Sequence, residues 1–513
     1  GSLFWVLDKT KTSMGARLLK KMIESPLISK DKINYRLDAI EEFSNNYIDV
    51  CEIREYLYSI YDIERILSKI CVNSANPKDI ICFKSSLINI PFIKNLLSNF
   101  NSKEIKEINN SIDSLEDLFE LISKSICDDP PTSLREAGII KEKYNIEVDR
   151  LRESKIKGKE WLSDYENEER NNTKAKALKI KYSKLFGYTF ELSNAQKQDL
   201  PDYFIRKQTL TNAERYTTEK LNKLQDEILG AEEKLKNIEY ELFQEIINEI
   251  KKNIIRIKQT SKALALLDVY LSLTYVSTNN HYVRPQINDE DIIDIKNGRH
   301  PVIEEIIGLD NFIKNDTYLD NNNYIDIITG PNMAGKSTYM RQIALIVILA
   351  HIGSFVPCDS ANICLVDRIF TRVGASDDLS TGQSTFMVEM NEVANIMKCS
   401  TDKSLLILDE IGRGTSTYDG LSIAWSVIEY ISNKIKAKTL FATHYHELTQ
   451  LDGKLNGVNN YHITIKEQNK DIIFLRKIVR GFANRSYGIE VAHLAGVPEE
   501  ITNRAKEILK TLC

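Results

Sequence analysis

A lysine, a serine, two acids and a histidine could carry most of the chemistry in this sequence. Lys336 and Ser337 lie near the end of Thr329-Gly-Pro-Asn-Met-Ala-Gly-Lys-Ser-Thr338, which fits the pattern Gly-x4-Gly-Lys-Ser/Thr. Gly330 and Gly335 allow a tight turn whose N–H groups face inward, and a helix starting there adds positive dipole for an anion. A loop of Gly330, Pro331, Asn332, Met333, Ala334 and Gly335, leading into Thr338, is therefore expected to cradle phosphates. Lys336 would reach the β- and γ-phosphates, and the Ser337 hydroxyl would ligate magnesium. Asp409 and Glu410 close the apolar run Leu405-Leu-Ile-Leu, and His444 closes Thr439-Leu-Phe-Ala-Thr443. Asp409 would hold the magnesium through its water shell. Glu410 would take a proton from an attacking water or orient it, and His444 would stabilise charge developing on the γ-phosphate.

An acidic pair at a strand end can also be plain helix capping. What argues against that here is the order of the pieces. The glycine loop comes first, then Leu379-Ser-Thr-Gly-Gln-Ser-Thr-Phe386, then Asp409-Glu410, then His444. This order resembles that of ABC-class ATPases. The resemblance implies that the Ser/Gly-rich loop completes a partner's site, so that Ser384 acts in trans on the γ-phosphate and the active unit is a homodimer through the ATPase domains.

Several elements must position these residues. Tyr324-Ile-Asp-Ile-Ile328, Leu405–Asp409 and Thr439–His444 read as buried strands alternating with helices, which indicates a parallel sheet. The helix expected over Thr338–His351 is apolar on most sides, hence buried between layers. Residues 3 to about 130 read as helical, with a stop at Asp128-Asp-Pro-Pro131. Leu221, Leu224, Ile228, Ala231, Leu235, Ile238 and Leu242 form a heptad seam. If that helix runs to about Gln259, it is on the order of 60 Å long. Ala137–Trp161 offers an antiparallel partner through Ile140, Tyr144, Val148 and Leu151.

Between the two arms the period changes. Leu178–Tyr182 and Tyr188–Leu192 alternate around a turn, as in a β-hairpin. Six basic residues and no acid fall between Arg170 and Lys184, namely Arg170, Lys174, Lys176, Lys179, Lys181 and Lys184; Arg206 and Lys207 follow on the next strand. Such a patch suits a phosphate backbone, although a solvated lysine face looks the same in sequence.

Composition bounds the rest. A chain of 513 residues suggests about three domains. A formal net charge of -5 argues against a uniformly basic nucleic-acid binder while leaving room for a local patch. Eight scattered cysteines with no Cys-x-x-Cys suggest reduced thiols, not a metal or disulfide framework. The longest apolar run, Ile343–Ala350, is far short of the ~20 residues of a membrane span, so no membrane partner is expected.

Longer motifs make a specific family resemblance. Thr329 to Gln342, Asp367-Arg-Ile-Phe-Thr-Arg-Val-Gly-Ala-Ser-Asp-Asp378, Ser384-Thr-Phe-Met-Val-Glu-Met390, Asp409-Glu-Ile-Gly-Arg-Gly-Thr-Ser-Thr-Tyr-Asp-Gly420 and Phe441-Ala-Thr-His-Tyr-His-Glu-Leu448 closely resemble the MutS family of DNA mismatch repair. Outside the ATPase, Lys11-Thr-Ser-Met-Gly-Ala-Arg-Leu-Leu19 resembles the start of that family's lever, Phe186-Gly-Tyr188 its clamp hairpin, and Gln208 to Tyr216 the clamp's end. The resemblance implies a multidomain fold. A helical core or lever with long coiled-coil-like arms (3–154 and 221–275) carries a small mixed α/β clamp with a β-hairpin at its tip (155–220). A C-terminal α/β P-loop ATPase of the ABC class (276–485) and a terminal helix-turn-helix (486–513) follow.

Site residues follow from the same resemblance. Phe312 would stack on adenine with Ile313 beside it, His462 would lie on the other face of the base, and Asn332 would contact phosphate or the attacking water. It implies ATP/ADP and Mg2+ as ligands and double-stranded DNA gripped by its backbone. It also implies a MutL-type matchmaker and a sliding clamp as partners of the full-length protein, and a cytoplasmic, nucleoid-associated location. The Ser486–Leu512 segment, a DNA-binding helix-turn-helix on a naive reading, is implied instead to brace the partner's ATPase domain.

The sequence also departs from the family. Its N-terminal mismatch-reading and connector domains, with their Phe-x-Glu, are missing, and Ala334 replaces a common Gly. Gly1-Ser2 looks like a cloning remnant, so an engineered fragment is expected. Two alternatives stay open: a MutS-like paralogue acting in recombination or junction binding, and a non-catalytic nucleotide-gated scaffold.

Overall fold

The structure, a computed structural model, describes every residue except 184, 194–199, 332–333, 374–384, 469–470, 483–486 and 513, with the side chains of 466–468, 471–473, 494, 510 and 512 also left out. The chain forms helical and mixed α/β parts that fall into two units. One comprises Gly1–Tyr58, Asn95–Asn110 and Ala263–Cys513; the other comprises Ser59–Lys94 and Ser111–Lys262.

The first unit is built around a six-stranded sheet. Its spatial order is Ile369–Arg372, Leu405–Asp409, Lys438–Ala442, Asn323–Thr329, Gly457–Gln468, Asp471–Arg480. The first five strands run parallel as expected, and the last is an antiparallel edge paired to Gly457–Gln468. Ile325, Ile327, Leu406, Leu408 and Phe441 share one core with Val393, Ile396, Ala424 and Ile428 of the helices Thr385–Cys399 and Thr417–Tyr430. The helix Lys336–His351 starts two residues earlier than expected, and most of its residues are buried. A smaller sheet, Gln286–Asn288, Ser360–Cys364, Ile293–Gly298 and Asn315–Leu319, lies in the same unit.

Helices from the start of the chain also belong to this unit, and they are tied in by a contact invisible in local sequence. Asp268 is fully buried and accepts from the Lys11 and Thr12 backbone N–H groups at 2.9 and 2.8 Å and from the Thr12 hydroxyl at 2.7 Å. Thr12 in turn accepts from the Gly15 N–H at 3.0 Å, capping the helix Ser13–Glu24. This is what the Lys11–Leu19 motif does structurally.

The second unit contains the two arms. Asn145 caps the helix Ile146–Thr173, and the helix Glu219–Lys252 runs antiparallel to it, with Arg152 on Glu239, Lys155 on Glu232 and Lys220 on Glu168. The seam is buried at Leu221, Ile228 and Leu235. Two expectations are corrected. The long helix stops at Lys252, capped by the Asn253 N–H, and the next helix, Ile254–Asn279, follows. Ile140 and Tyr144 precede the partner helix: Ile140 bridges Ile126, and Asn145 bonds the Glu147 and Val148 N–H groups instead.

The hairpin forms as expected. Lys179–Ser183 pairs with Gly187–Ser193 in register Tyr182 to Tyr188, within a four-stranded antiparallel sheet completed by Ala213–Thr217 and Ile205–Thr209. Phe190, Leu178 and Leu192 enter its core, whereas Tyr182 stays half exposed. Among the described residues, one segment is apolar and long enough for a membrane span, Pro77–Leu97 with mean hydropathy 1.3, and it was not anticipated from apolar runs. It is two helices whose Ile80, Phe83, Leu87, Ile90, Ile93 and Leu97 are buried at helical spacing, as in a core pair.

Candidate functional site

The site lies where three parallel strands end. Asn323–Thr329 feeds directly into Gly330, Leu405–Asp409 ends on the acid pair, and Lys438–Ala442 ends just before Thr443-His444. The ladder continues past the strand ends: the Glu410 N–H donates to the Ala442 carbonyl at 2.9 Å and the Thr443 N–H to the Ile328 carbonyl at 3.1 Å. This is the carboxyl edge of an open sheet, where loops from neighbouring strands converge.

Gly330 has φ 138°, and a Cβ there would lie 2.5 Å from Ile463 Cγ2, so the loop can pass the neighbouring strand only as glycine. Gly335, with φ 110°, leads into the helix whose first residues are Lys336 and Ser337. Burial lowers the Lys336 ammonium's pKa, opposed by the nearby Glu410 and Asp409 carboxylates, and its Nζ donates to the Gly330 carbonyl at 2.5 Å. Burial raises the Asp409 pKa, and the nearby Ser337 hydroxyl lowers it in part. Two hard oxygen donors thus meet beside a buried ammonium, the donor set that suits a small divalent cation.

Glu410 sits at φ 52°, a left-handed backbone unusual for this residue type, and accepts from Arg413 Nη1 at 2.6 Å. The His444 ring lies on Tyr445, with centroids 4.1 Å apart. Partial desolvation lowers its pKa, and Glu410 pulls the other way. Lys336, Ser337, Asp409, Glu410 and His444 are therefore brought together.

Phe312 and Ile313 line a cavity of about 190 Å3 with Gly335, Thr338, Tyr339 and Gln342. His462 does not line it. It pairs in register with Thr329 on the neighbouring strand, and its buried Nδ1 lacks a partner. Pro331 and Ala334 frame the loop, the Ala334 N–H donating to the Pro331 carbonyl at 3.3 Å. Asn332, Met333 and Ser384 lie outside the described residues, as do Lys184 and the start of the terminal segment at Ser486.

In the other unit, Lys174, Lys176, Lys179, Lys181, Arg206 and Lys207 are all exposed. Lys181 pairs with Glu191 at 2.6 Å and Arg206 with Glu214 at 3.4 Å; among the described residues, Lys174, Lys176, Lys179 and Lys207 have no ion pair. Gln342, whose buried carboxamide has no partner, and Glu389, which bonds Gly412, were not singled out from sequence. Both sit inside motifs the sequence displays, but no spacing rule marks them.

Comparison with known proteins gives this arrangement a family. The family model described as MutS domain III matches residues 1–274, and that described as MutS domain V matches residues 326–513. The chain is 58% identical over 515 residues to the DNA mismatch repair protein MutS of Lachnoclostridium phytofermentans, 55% over 513 residues to that of Acetivibrio thermocellus and 57% over 514 residues to that of Caldicellulosiruptor bescii. Each match covers 100% of this chain but 55%, 59% and 60% of the relative, so the chain spans little more than half the length of the relatives it matches. With one family model covering more than half of its residues and a second matching most of the remainder, the chain belongs to the MutS family.

Proposed function

We propose that this chain is the ATP-hydrolysing and DNA-clamping part of a mismatch repair protein, working as a homodimer through its ATPase domains. The observation that carries this reading is the meeting of Ser337, Asp409, Lys336, Glu410 and His444 at one sheet edge. In this reading the backbone of 330–335 and Lys336 bind the phosphates of ATP, and Phe312 and His462 hold the base. Ser337 and Asp409 hold Mg2+, which when bound supplies charge neutralisation at the β- and γ-phosphates. Glu410 orients water and accepts its proton, His444 donates toward the developing γ-phosphate charge, and Ser384 completes the partner's site.

Arg413, itself exposed, engages only Oε2 of Glu410, which leaves the other carboxylate oxygen to act as base. The products are ADP and phosphate. The exposed lysines of the four-stranded sheet contact the backbone of double-stranded DNA, and the arms couple the two activities. The boundaries that suit these roles are 3–154 with 221–275, 155–220, 276–485 and 486–513, the last segment bracing the partner. A MutL-type matchmaker and a sliding clamp would be partners of the full-length protein, in the cytoplasm at the nucleoid.

Phosphate release is the direct test. The chain should hydrolyse ATP only with Mg2+, and Glu410→Gln should retain nucleotide while turnover falls by orders of magnitude. Binding without hydrolysis by the unaltered dimer would leave only a nucleotide-gated scaffold.

A further inference from the structure

Gly412 follows Glu410 by two residues and is held from both sides. Its N–H donates to Glu389 Oε1 at 2.6 Å, and its carbonyl accepts from the Tyr445 hydroxyl at 3.0 Å. Glu389 comes from the helix Thr385–Cys399, which begins one residue after Ser384. Tyr445 follows His444 directly, its ring against the imidazole. One residue therefore joins three motifs that are remote in sequence.

The hold is built, not incidental. Glu389 and Tyr445 are each 4% exposed, so their polar atoms need partners inside the protein. Glu389 also faces Arg372, whose Nη2 is 3.8 Å from Oε2 and whose Nε is 3.0 Å from Glu392. Burial raises the Tyr445 phenol's pKa, with Glu389 and Glu447 adding to it, so the phenol keeps the proton it donates. The loop passes close to its neighbours, which only glycine allows. A Cβ on Gly412, at φ 87°, would lie 2.5 Å from the Gly420 carbonyl oxygen, and one on Gly414 would lie 3.0 Å from Phe386 Cβ. Glu410 itself is in a left-handed backbone, a strained conformation for a residue with a side chain that persists only where the surroundings impose it.

We propose that Glu389 and Tyr445 are positioning residues that grip Gly412 and so fix Glu410 relative to His444 and to the Thr385–Cys399 helix, an inference that rests on the ATPase reading above. The grip makes the placement of Glu410 depend on where the Thr385–Cys399 helix stands. Closure of the dimer against that helix's N-terminus would thus be felt at Glu410 through one carboxylate and one peptide.

The test compares Glu389→Ala, Glu389→Gln and Tyr445→Phe in the full chain by steady-state phosphate release, equilibrium binding of ATP and thermal unfolding. Glu389→Ala and Tyr445→Phe should lower kcat by at least about tenfold while leaving nucleotide Kd within about twofold, because only the geometry of the base is loosened. Glu389→Gln keeps an oxygen that accepts from the Gly412 N–H and should recover most of the lost kcat. Wild-type kcat in both Glu389→Ala and Tyr445→Phe would overturn the proposal. So would a glutamine variant no better than alanine, or kcat losses that follow losses of nucleotide affinity and Tm. If the unaltered chain released no phosphate, the ATPase reading would fall and this proposal with it.

Discussion

The Ser337 hydroxyl stands close enough to the Asp409 carboxylate to lower its pKa, although 72 positions separate them (409 − 337) and they stand on different elements. Parallel strands cannot be joined by short hairpins, so the two meet only because the sheet places Asn323–Thr329 next but one to Leu405–Asp409, with Lys438–Ala442 between. Together they present the two oxygens that a divalent cation would take.

Replacing Asp409 by Asn removes charge but keeps shape. The Mg2+ concentration for half-maximal phosphate release should rise roughly 10–100-fold. A magnesium titration of the variant checks this, and an unchanged midpoint would remove Asp409 from the metal site.

Asp326 lies on the central strand, 2% exposed, and desolvation raises its pKa well above the ordinary carboxylate value, only partly countered by Arg480. A folded-state pKa above the unfolded one means the native state binds more protons. The associated stability is therefore complete below the unfolded pKa and is lost as pH rises through the folded one. Asp326→Asn cannot ionise, so its stability should fall less than wild type's as pH is raised above about 4, a difference of at most about 1.4 kcal/mol per pH unit. Urea unfolding across pH measures it; parallel curves would refute the assignment.

Glu239 is fully buried between the arms and is paired with Arg152 and with the Gly138 and Ile139 N–H groups. Glu239→Ala leaves the Gly138 and Ile139 N–H groups without their acceptor and takes from the part-buried Arg152 its buried carboxylate, only Ile140 O and Asp149 remaining. It should cost about 3–5 kcal/mol in denaturant unfolding. A loss below about 1 kcal/mol would show the pair to be dispensable.

The lysines of the four-stranded sheet differ in their engagement. Lys179 is exposed and, among the described residues, without an ion pair, whereas Lys181 is already paired with Glu191. Lys179→Ala should reduce the salt dependence of duplex binding by about one ion (slope change about 0.9), and Lys181→Ala by less. Affinity titrations from low to moderate salt distinguish them, and equal slopes would contradict a graded patch.

Strong local signals carried much of the fold. The β-hairpin around Phe186-Gly187 appears where it is expected, because alternation and a positive-φ glycine are properties of the segment itself. The heptad seam appears too, but its helix stops at Lys252: the apolar spacing runs on, and nothing in the period marks the cap at Asn253. Ile140 and Tyr144 fit helical spacing, yet Asn145 starts the helix after them, since a cap outweighs periodicity at a boundary.

The sequence by itself determined which residues could do chemistry here, since Gly330 to Thr338, Asp409-Glu410 and His444 stand in motifs whose residue types and order are local facts. It could not decide what holds them. The cap of Lys11-Thr12 by Asp268 and the grip of Glu389 and Tyr445 on Gly412 each join residues far apart in the chain. The physical reason is that a hydrogen bond depends on distance and burial, and only the packed sheet and helices bring these donors and acceptors within about 3 Å, shielded from water.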